Sequence, residues 1–359
     1  MILYRSVTKP GLCLTILLTA VAATAADKVQ ELFSRANALA EQQSWDAAVA
    51  QYKEVVRLSP NFPGAHYNLG LALQMKGDLE GAIDEYRQAI RLKPDFTEAR
   101  NNLGLALLRS GQADVAIEEY RDLIRRQPDF AEAYYNLANA WMAKGQMDSA
   151  VATYREALRL RPDIAQEHNN LANALRAQGK VEEAIAEYRE AMRLSKPRAD
   201  LYFNLANALS DTGKANEAIE QYGLALMLAP NDPQIQNNLG VTYAAQGNVE
   251  KAAEAYRQAL RLEPGFARAH YNLALLLEKQ GDLISAISEY NAAIQSRPDY
   301  AAAHCSLGEV LERTGRQQDA LAHFRTAWEF DPQNFPCLAE YERLLKASKP
   351  SNPTPAPAH

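Results

Sequence analysis

The sequence predicts an all-α solenoid of stacked helix pairs, and three observations predict it. Residues 131–164 (AEAYYNLANAWMAKGQMDSAVATYREALRLRPDI) and 165–198 (AQEHNNLANALRAQGKVEEAIAEYREAMRLSKPR) follow one plan at a 34-residue period, which marks a repeat architecture. Glycines recur at Gly77, Gly111, Gly145, Gly179, Gly213, Gly247, Gly281 and Gly315. They divide two apolar-periodic stretches, where positive φ can end a first helix. Prolines recur at Pro60, Pro94, Pro128, Pro162, Pro230, Pro264, Pro298 and Pro332. They close the second helix, because proline lacks an N–H and restricts the residue before it. One helix pair alone leaves an apolar face wet, so neighbours must stack.

Composition narrows the function. The 359 residues are 47% hydrophobic and 23% charged, with a net charge of -6. Length alone suggests two or three domains, but a solenoid grows by addition and keeps a thin, continuous core. The acidic balance and the lack of a dense Lys/Arg run argue against nucleic-acid binding.

From the N-terminus, residues 1–25 read as a signal peptide. Arg5 and Lys9 form a positive region, Leu12 to Val21 an apolar one, and Ala23-Thr24-Ala25 a small-residue end with cleavage before Ala26. This predicts export, to a bacterial periplasm; the alternative is a tether through a retained N-terminal segment. Residues 26–347 form the solenoid: nine repeats at 29–62, 63–96, 97–130, 131–164, 165–198, 199–232, 233–266, 267–300 and 301–334, then a capping helix at 335–347. The Pro-rich tail 348–359 reads as disordered. The first repeat is degenerate, with Gln43 in the glycine slot, as expected of a terminal unit. Lys196 takes a proline slot and Pro197 follows it, which reads as an altered turn without an insertion. Small residues recur at Ala82, Ala116 and Ala150 and at Gly70, Gly104 and Ala138, with Leu69 and Tyr86 heading the large fillers. After cleavage only Cys305 and Cys337 remain. They read as separate small residues, though an exported compartment permits a disulfide.

These positions resemble the tetratricopeptide repeat. Its pattern is matched in the second unit by His66, Leu69, Gly70, Leu73, Ala82, Tyr86, Ala89 and Pro94, and in the fourth by Tyr134, Leu137, Ala138, Trp141, Ala150, Tyr154, Ala157 and Pro162. The resemblance covers residues 29–334 and implies a right-handed superhelix of antiparallel helix pairs. It further implies a concave groove, lined by the first helices, that holds an extended peptide. The pattern is also similar to the repeat region of O-linked N-acetylglucosamine transferases, without their catalytic domain.

One polar row stands out. Asn68, Asn102, Asn136, Asn170, Asn204, Asn238 and Asn272 share one offset, immediately before the packing leucine of the first helix. By the resemblance this offset faces the groove. Asparagine is a poor interior helix residue, and its amide both donates and accepts, as a peptide backbone requires. Asn139, Asn173 and Asn207 add a shorter row three residues on, on nearly the same helix face. They make the central repeats the expected region of strongest contact. Tyr67, Tyr135, Phe203 and Tyr271 offer apolar shelves, while Asn101, Asn169 and Asn237 carry less weight. The alternative is that the row links neighbouring repeats, or was carried along by duplication of one unit.

Catalytic chemistry is not expected. His66, His168, His270 and His304 share a slot but bring no third metal ligand with them, and no nucleotide-binding or metal-site motif occurs. The expectation is a non-catalytic scaffold without cofactor or metal, binding a protein or peptide segment in extended form. The alternatives are a substrate-presenting subunit of a separate enzyme such as a glycosyltransferase, and a structural array that self-associates.

Overall fold

The computed structural model describes residues 10–333 and 337–347, with side chains from residue 26 onward. Among the described residues there are nineteen α-helices and no strand. They fall into two compact units divided between Gln178 and Gly179. The first holds α1 (Pro10–Glu41), α2 (Trp45–Leu58), α3 (Pro63–Lys76), α4 (Leu79–Leu92), α5 (Thr97–Arg109), α6 (Ala113–Arg126), α7 (Ala131–Ala143), α8 (Met147–Leu160) and α9 (Ala165–Ala177). The second holds α10 (Val181–Leu194), α11 (Ala199–Asp211), α12 (Ala215–Leu228), α13 (Pro233–Ala245), α14 (Val249–Leu262), α15 (Ala267–Gln280), α16 (Leu283–Ser296), α17 (Ala301–Arg313), α18 (Gln317–Phe330) and α19 (Leu338–Ala347). Within each unit every helix packs against the next in sequence.

The small-residue slots explain the close packing. Tyr86 of α4 is fully buried against Gly70 of α3, and a Cβ on Gly70 would lie 2.7 Å from its ring. Gly104 meets Tyr120 in the same way at 2.5 Å. Leu69 and Leu103 fill the space beside them, each 1% exposed; burying such a side chain contributes about 1.5–3 kcal/mol.

The turn glycines act as the period predicts. Gly77 has φ 87°, ends α3 and returns its N–H to Gln74 and Leu73. Asp78 then caps α4 by accepting from the Gly81 N–H at 3.0 Å. Gln43 holds the equivalent turn at φ 58°, the one positive φ outside glycine among the described residues.

The turn at Ser195–Arg198 has an extended cap residue, Ser195, and yet α11 starts at Ala199, one period after α9 at Ala165. The altered turn therefore keeps the phase. Cys305 and Cys337 do not stand apart as the sequence suggested. They form a disulfide, because the chain returns to α17 before α19 begins, with a Cα–Cα distance of 5.9 Å. Leu344 of α19 is buried, whereas Leu338 and Leu345 stay 46% and 37% exposed. The expected leader and tail lie outside the described residues, apart from the helical backbone of 10–25, which runs on into α1.

Candidate functional site

The asparagine row lies on the first helices, and its amides reach back one repeat. In the first unit Asn68 of α3 donates from Nδ2 to Asn37 Oδ1 at 3.0 Å. Asn102 of α5 donates to Tyr67 Oη at 3.0 Å. Asn136 of α7 donates to Asn101 Oδ1 at 2.9 Å. Asn170 of α9 donates to Tyr135 Oη at 3.0 Å and to Asn139 Oδ1 at 3.3 Å. In the second unit Asn238 of α13 donates to Asn207 Oδ1 and Asn272 of α15 to Asn237 Oδ1, both at 2.9 Å. The sequence separations are 31 or 35 residues throughout. Asn204 sits half-buried in its slot on α11, as does Asn173 on α9.

The second row has its own work. Tyr154 and Tyr222 are buried, and a buried phenol needs a partner for its hydroxyl. Tyr154 donates to Asn139 Oδ1 at 2.5 Å and Tyr222 to Asn207 Oδ1 at 2.6 Å. Tyr52 donates likewise to Asn37 Oδ1 at 2.6 Å. One amide oxygen thus joins a core tyrosine of its own repeat to an asparagine of the next. Burial raises the pKa of Tyr52 and of Tyr154 above the ordinary phenol value, so both stay protonated donors. Where the slot holds Leu71, Tyr86 turns to Gln74 Oε1 instead, at 3.0 Å.

The aromatic shelves are half-buried and each packs on a neighbouring ring. Tyr67 lies half-buried between Tyr86 and Phe96, at 6.0 and 5.0 Å between ring centroids. Tyr271 lies between Tyr290 and Tyr300, at 5.9 and 5.0 Å. Tyr135 and Phe203 pack on Tyr154 and Tyr222. The residues given less weight from the sequence, Asn101 and Asn237, are buried acceptors of the ladder, 6% and 1% exposed. Asn37 was missed, although it shares the offset of Asn139 and Asn207. Asn101, Asn169 and Asn237 alternate with Tyr67, Tyr135, Phe203 and Tyr271 in every second repeat, and that alternation was the available signal.

Capacity left for a ligand differs along the row. An amide carries two N–H donors and a carbonyl acceptor, and the ladder engages one donor of Asn68 and of Asn102. Farther on, Asn136 and Asn207 are 6% and 9% exposed, and Asn170 Oδ1 already accepts from Gln166 and Asn169. Within the first unit, Asn68 and Asn102 therefore keep more capacity than Asn136 and Asn170. Beside Asn68 an opening of about 400 Å³ lies between α1, α2 and α3. Asn37, Glu41, Asn68 and Tyr52 supply its polar groups, and Trp45, Leu71 and Met75 its larger apolar ones. Met75 is 58% exposed.

The histidine slot makes carboxylate and turn contacts. His66 Nδ1 lies 2.6 Å from Glu85 Oε2 and its Nε2 lies 2.9 Å from the Pro60 carbonyl oxygen. Arg100 replaces it in the next repeat and pairs with Glu119 at 2.8 Å. Among the described residues no three His, Cys, Asp or Glu side chains converge to hold a metal ion, and no helix is long and apolar enough to cross a membrane.

Tetratricopeptide repeat family models match residues 101–164, 237–301 and 281–335, and residues 36–77, 75–111, 172–213 and 206–247. No curated protein matches the sequence. The fold is similar to a chain of the APC/C hetero-tetramer Cut9–Hcn1, with a TM-score of 0.54 at 16% identity, covering 88% of this chain and 76% of that one. MamA from Desulfovibrio magneticus is 24% identical over 47% of this chain and 95% of its own, with a TM-score of 0.45. YrrB, a TPR protein with an unusual peptide-binding site, is 23% identical over 51% of this chain and 95% of its own, at a TM-score of 0.42. The matched segments span most of the nine repeats, and the chain belongs to the tetratricopeptide repeat family.

Proposed function

We propose that the chain is a non-catalytic scaffold that holds an extended peptide along its first helices, anchored at the opening beside Asn37 and Asn68. Proteins of this family act as protein- and peptide-binding scaffolds. The observation that carries the anchor is the opening itself. It joins an exposed apolar side chain, Met75, and two half-buried ones, Trp45 and Leu71, to an asparagine with hydrogen-bonding capacity left. A large apolar side chain fits there, while Asn68 and Asn102 meet backbone groups at about 0.5–1.5 kcal/mol for each hydrogen bond.

The test is a peptide selected from a displayed library of unstructured sequences and then titrated calorimetrically. Met75→Glu is expected to weaken it by roughly tenfold, about 1.4 kcal/mol, at unchanged helix content. Equal affinity for both proteins would remove the anchor.

We also propose that the protein is exported and loses residues 1–25. The N-terminal charge and apolar pattern supports this, and so does the buried disulfide Cys305–Cys337, since disulfides persist in oxidising compartments. Intact mass of the mature protein is expected to show Ala26 as the first residue and no free thiol. A chain that keeps Met1 with all three thiols free would count against export.

A further inference from the structure

The last two described helices expose a face that earlier repeats cover. α19 keeps the repeat phase, since Cys337 and Leu344 are buried in the slots of Ala303 and Val310. No second helix follows it before Ala347, where the described residues end. The side of a first helix that meets its own second helix has a fixed pattern. One slot holds only Gly or Ala, from Ala36 to Gly308, and at Gly308 the ring of Phe324 takes the space. α19 has Glu342 there. Three residues on, every side chain from Leu39 to Leu311 is buried or half-buried, yet Leu345 is 37% exposed. α18 shows the same change. Its slot is buried or half-buried in each earlier second helix, from Val56 to Ile294, yet Trp328 is 45% exposed.

These residues lie together. Leu321, Arg325 and Trp328 follow one another at helical spacing on one side of α18. An opening of about 270 Å³ lies between α18 and α19. Gln318, Leu321, Ala322 and Arg325 form one wall, and Tyr341 and Leu345 the other. The charges are mixed: Asp319, Glu329, Glu340 and Glu342 stand against Arg325, Arg343 and Lys346 on the two helices. Neither sign dominates, so the face does not select a partner of one charge. The signs are divided between the walls, with Arg325 on α18 and Glu342 next to Tyr341 on α19. Their contacts within the chain are long, Arg325 to Glu329 at 3.8 Å and Lys346 to Glu342 at 3.9 Å, and all four side chains are more than half exposed. Exposed pairs of that kind contribute little.

We propose that this face pairs with the same face of a second copy of the chain, about a twofold axis that runs along the opening between α18 and α19. The α18 of each copy then lies on the α19 of the other, on the side where a second helix would pack. Leu321 and Trp328 of one copy cover Leu345 and Tyr341 of the other, and Arg325 meets Glu342 across the axis, twice. An isologous contact needs a patch that complements itself. This one sets apolar against apolar and base against acid, with tryptophan, tyrosine and arginine as its anchors. A head-to-tail contact fits less well, because α1 has Glu31 exposed in the slot where Ala65, Ala99 and Ala133 are buried. The pairing uses none of the residues of the peptide reading above.

Sedimentation of the full chain across a concentration series reads the pairing, and a dimer with a dissociation constant below about 100 µM is expected. Trp328→Gln with Leu345→Gln is expected to raise that constant at least tenfold, since each lost anchor counts twice in a twofold contact. Both sites are exposed, so the melting temperature at low concentration is expected to hold. Arg325→Glu and Glu342→Arg each set like charges across the axis, and each alone is expected to weaken the dimer. Mixed together, these two variants are expected to pair better than either does alone, because both contacts are then opposite in sign. An ion pair within one chain gains nothing from mixing. A chain that stays monomeric overturns the proposal, as does a dimer that the two glutamines leave unchanged, or a mixture no better than its components. Dimerisation only after truncation at Ala347 assigns this face to residues 348–359 and overturns it as well.

Discussion

In the eighth repeat, His270 donates from Nδ1 to Glu289 at 2.6 Å and from Nε2 to the Pro264 carbonyl at 3.0 Å. Carboxylate and carbonyl oxygens only accept, so this setting favours the imidazolium and the His270 pKa is raised. The ninth repeat keeps the carbonyl contact, His304 Nε2 to Pro298 at 3.1 Å, but sets His323 in the place of the glutamate, with the two Nδ1 atoms 2.9 Å apart. Only one nitrogen of such a pair can carry the proton between them. Burial lowers the pKa of both rings and so favours the neutral forms, in which one Nδ1 donates to the other. Same slot, same backbone, opposite pKa shifts: one residue on the second helix decides which. The first repeat differs from the eighth in a similar way, with Gln43 where Gly281 closes the first helix. The repeat backbone is thus tolerant, and single residues at the ends of the array set local stability.

The largest expected effect comes from undoing the histidine pair. The Glu289 hydrogen bond raises the His270 pKa above the ordinary imidazole value, so its contribution is full below about pH 6.5 and is lost as pH rises through the raised value. Burial lowers His304; burial and then His304 itself lower His323, with Asp319 and Arg316 acting in opposite senses on it. Their contribution is full above about pH 6.5 and is lost as pH falls through it, because the unfolded chain then binds protons more readily. Acidification therefore tightens the eighth repeat and loosens the ninth. His323→Glu rebuilds the eighth-repeat pair and is expected to stabilise α17 and α18 by about 1–2 kcal/mol near pH 5.5, the worth of a charge-assisted hydrogen bond. Hydrogen exchange of α17 amides between pH 5.5 and 7.5 reads it. Parallel pH profiles for variant and wild type would break the comparison.

The same contrast explains what could be seen in the residues beforehand. Turn glycines, closing prolines and the Ala–Tyr slots each dictate a backbone or a volume locally, so helix number, phase and the core residues are legible from spacing. The use of the asparagines is not. Each amide chooses among acceptors 31 or 35 residues back on another helix, and periodicity places a candidate in the slot without showing which way its amide turns. Asn102 and Asn136 look alike in sequence, yet one meets a phenol and the other a buried amide. Glu167 shows the limit from the other side. It occupies a slot held by Ala65, Ala99 and Ala133, is 1% exposed, and has one oxygen without a partner while the other receives Arg161 at 2.6 Å. Burial pushes its carboxyl above the ordinary range. A glutamate among charged neighbours gives no hint of this until the helices are stacked.

The smaller test concerns the turn. Gln43 adopts φ 58°, where a Cβ crowds the backbone, while glycine takes the same conformation without that penalty, as at Gly281 with φ 86°. Gln43→Gly is expected to stabilise the first unit by about 1 kcal/mol, reduced by the greater freedom glycine has in the unfolded chain. A denaturant midpoint reads the gain, provided the slope is unchanged. The reciprocal change, Gly281→Gln in the eighth repeat, is expected to lower stability by a similar amount, since the backbone constraint is shared. Loss at Gly281 with no gain at Gln43 would mean that the first repeat already offsets its strained turn. The Gln43 N–H to Ala40 and the Ser44 N–H to Leu39, both 2.9 Å, are the bonds that could do so. The Gly281 N–H to Glu278 at 2.9 Å and the Asp282 N–H to Leu277 at 3.0 Å repeat that bonding. The two turns are therefore matched in hydrogen bonds, and the expected difference between them rests on the side chain alone.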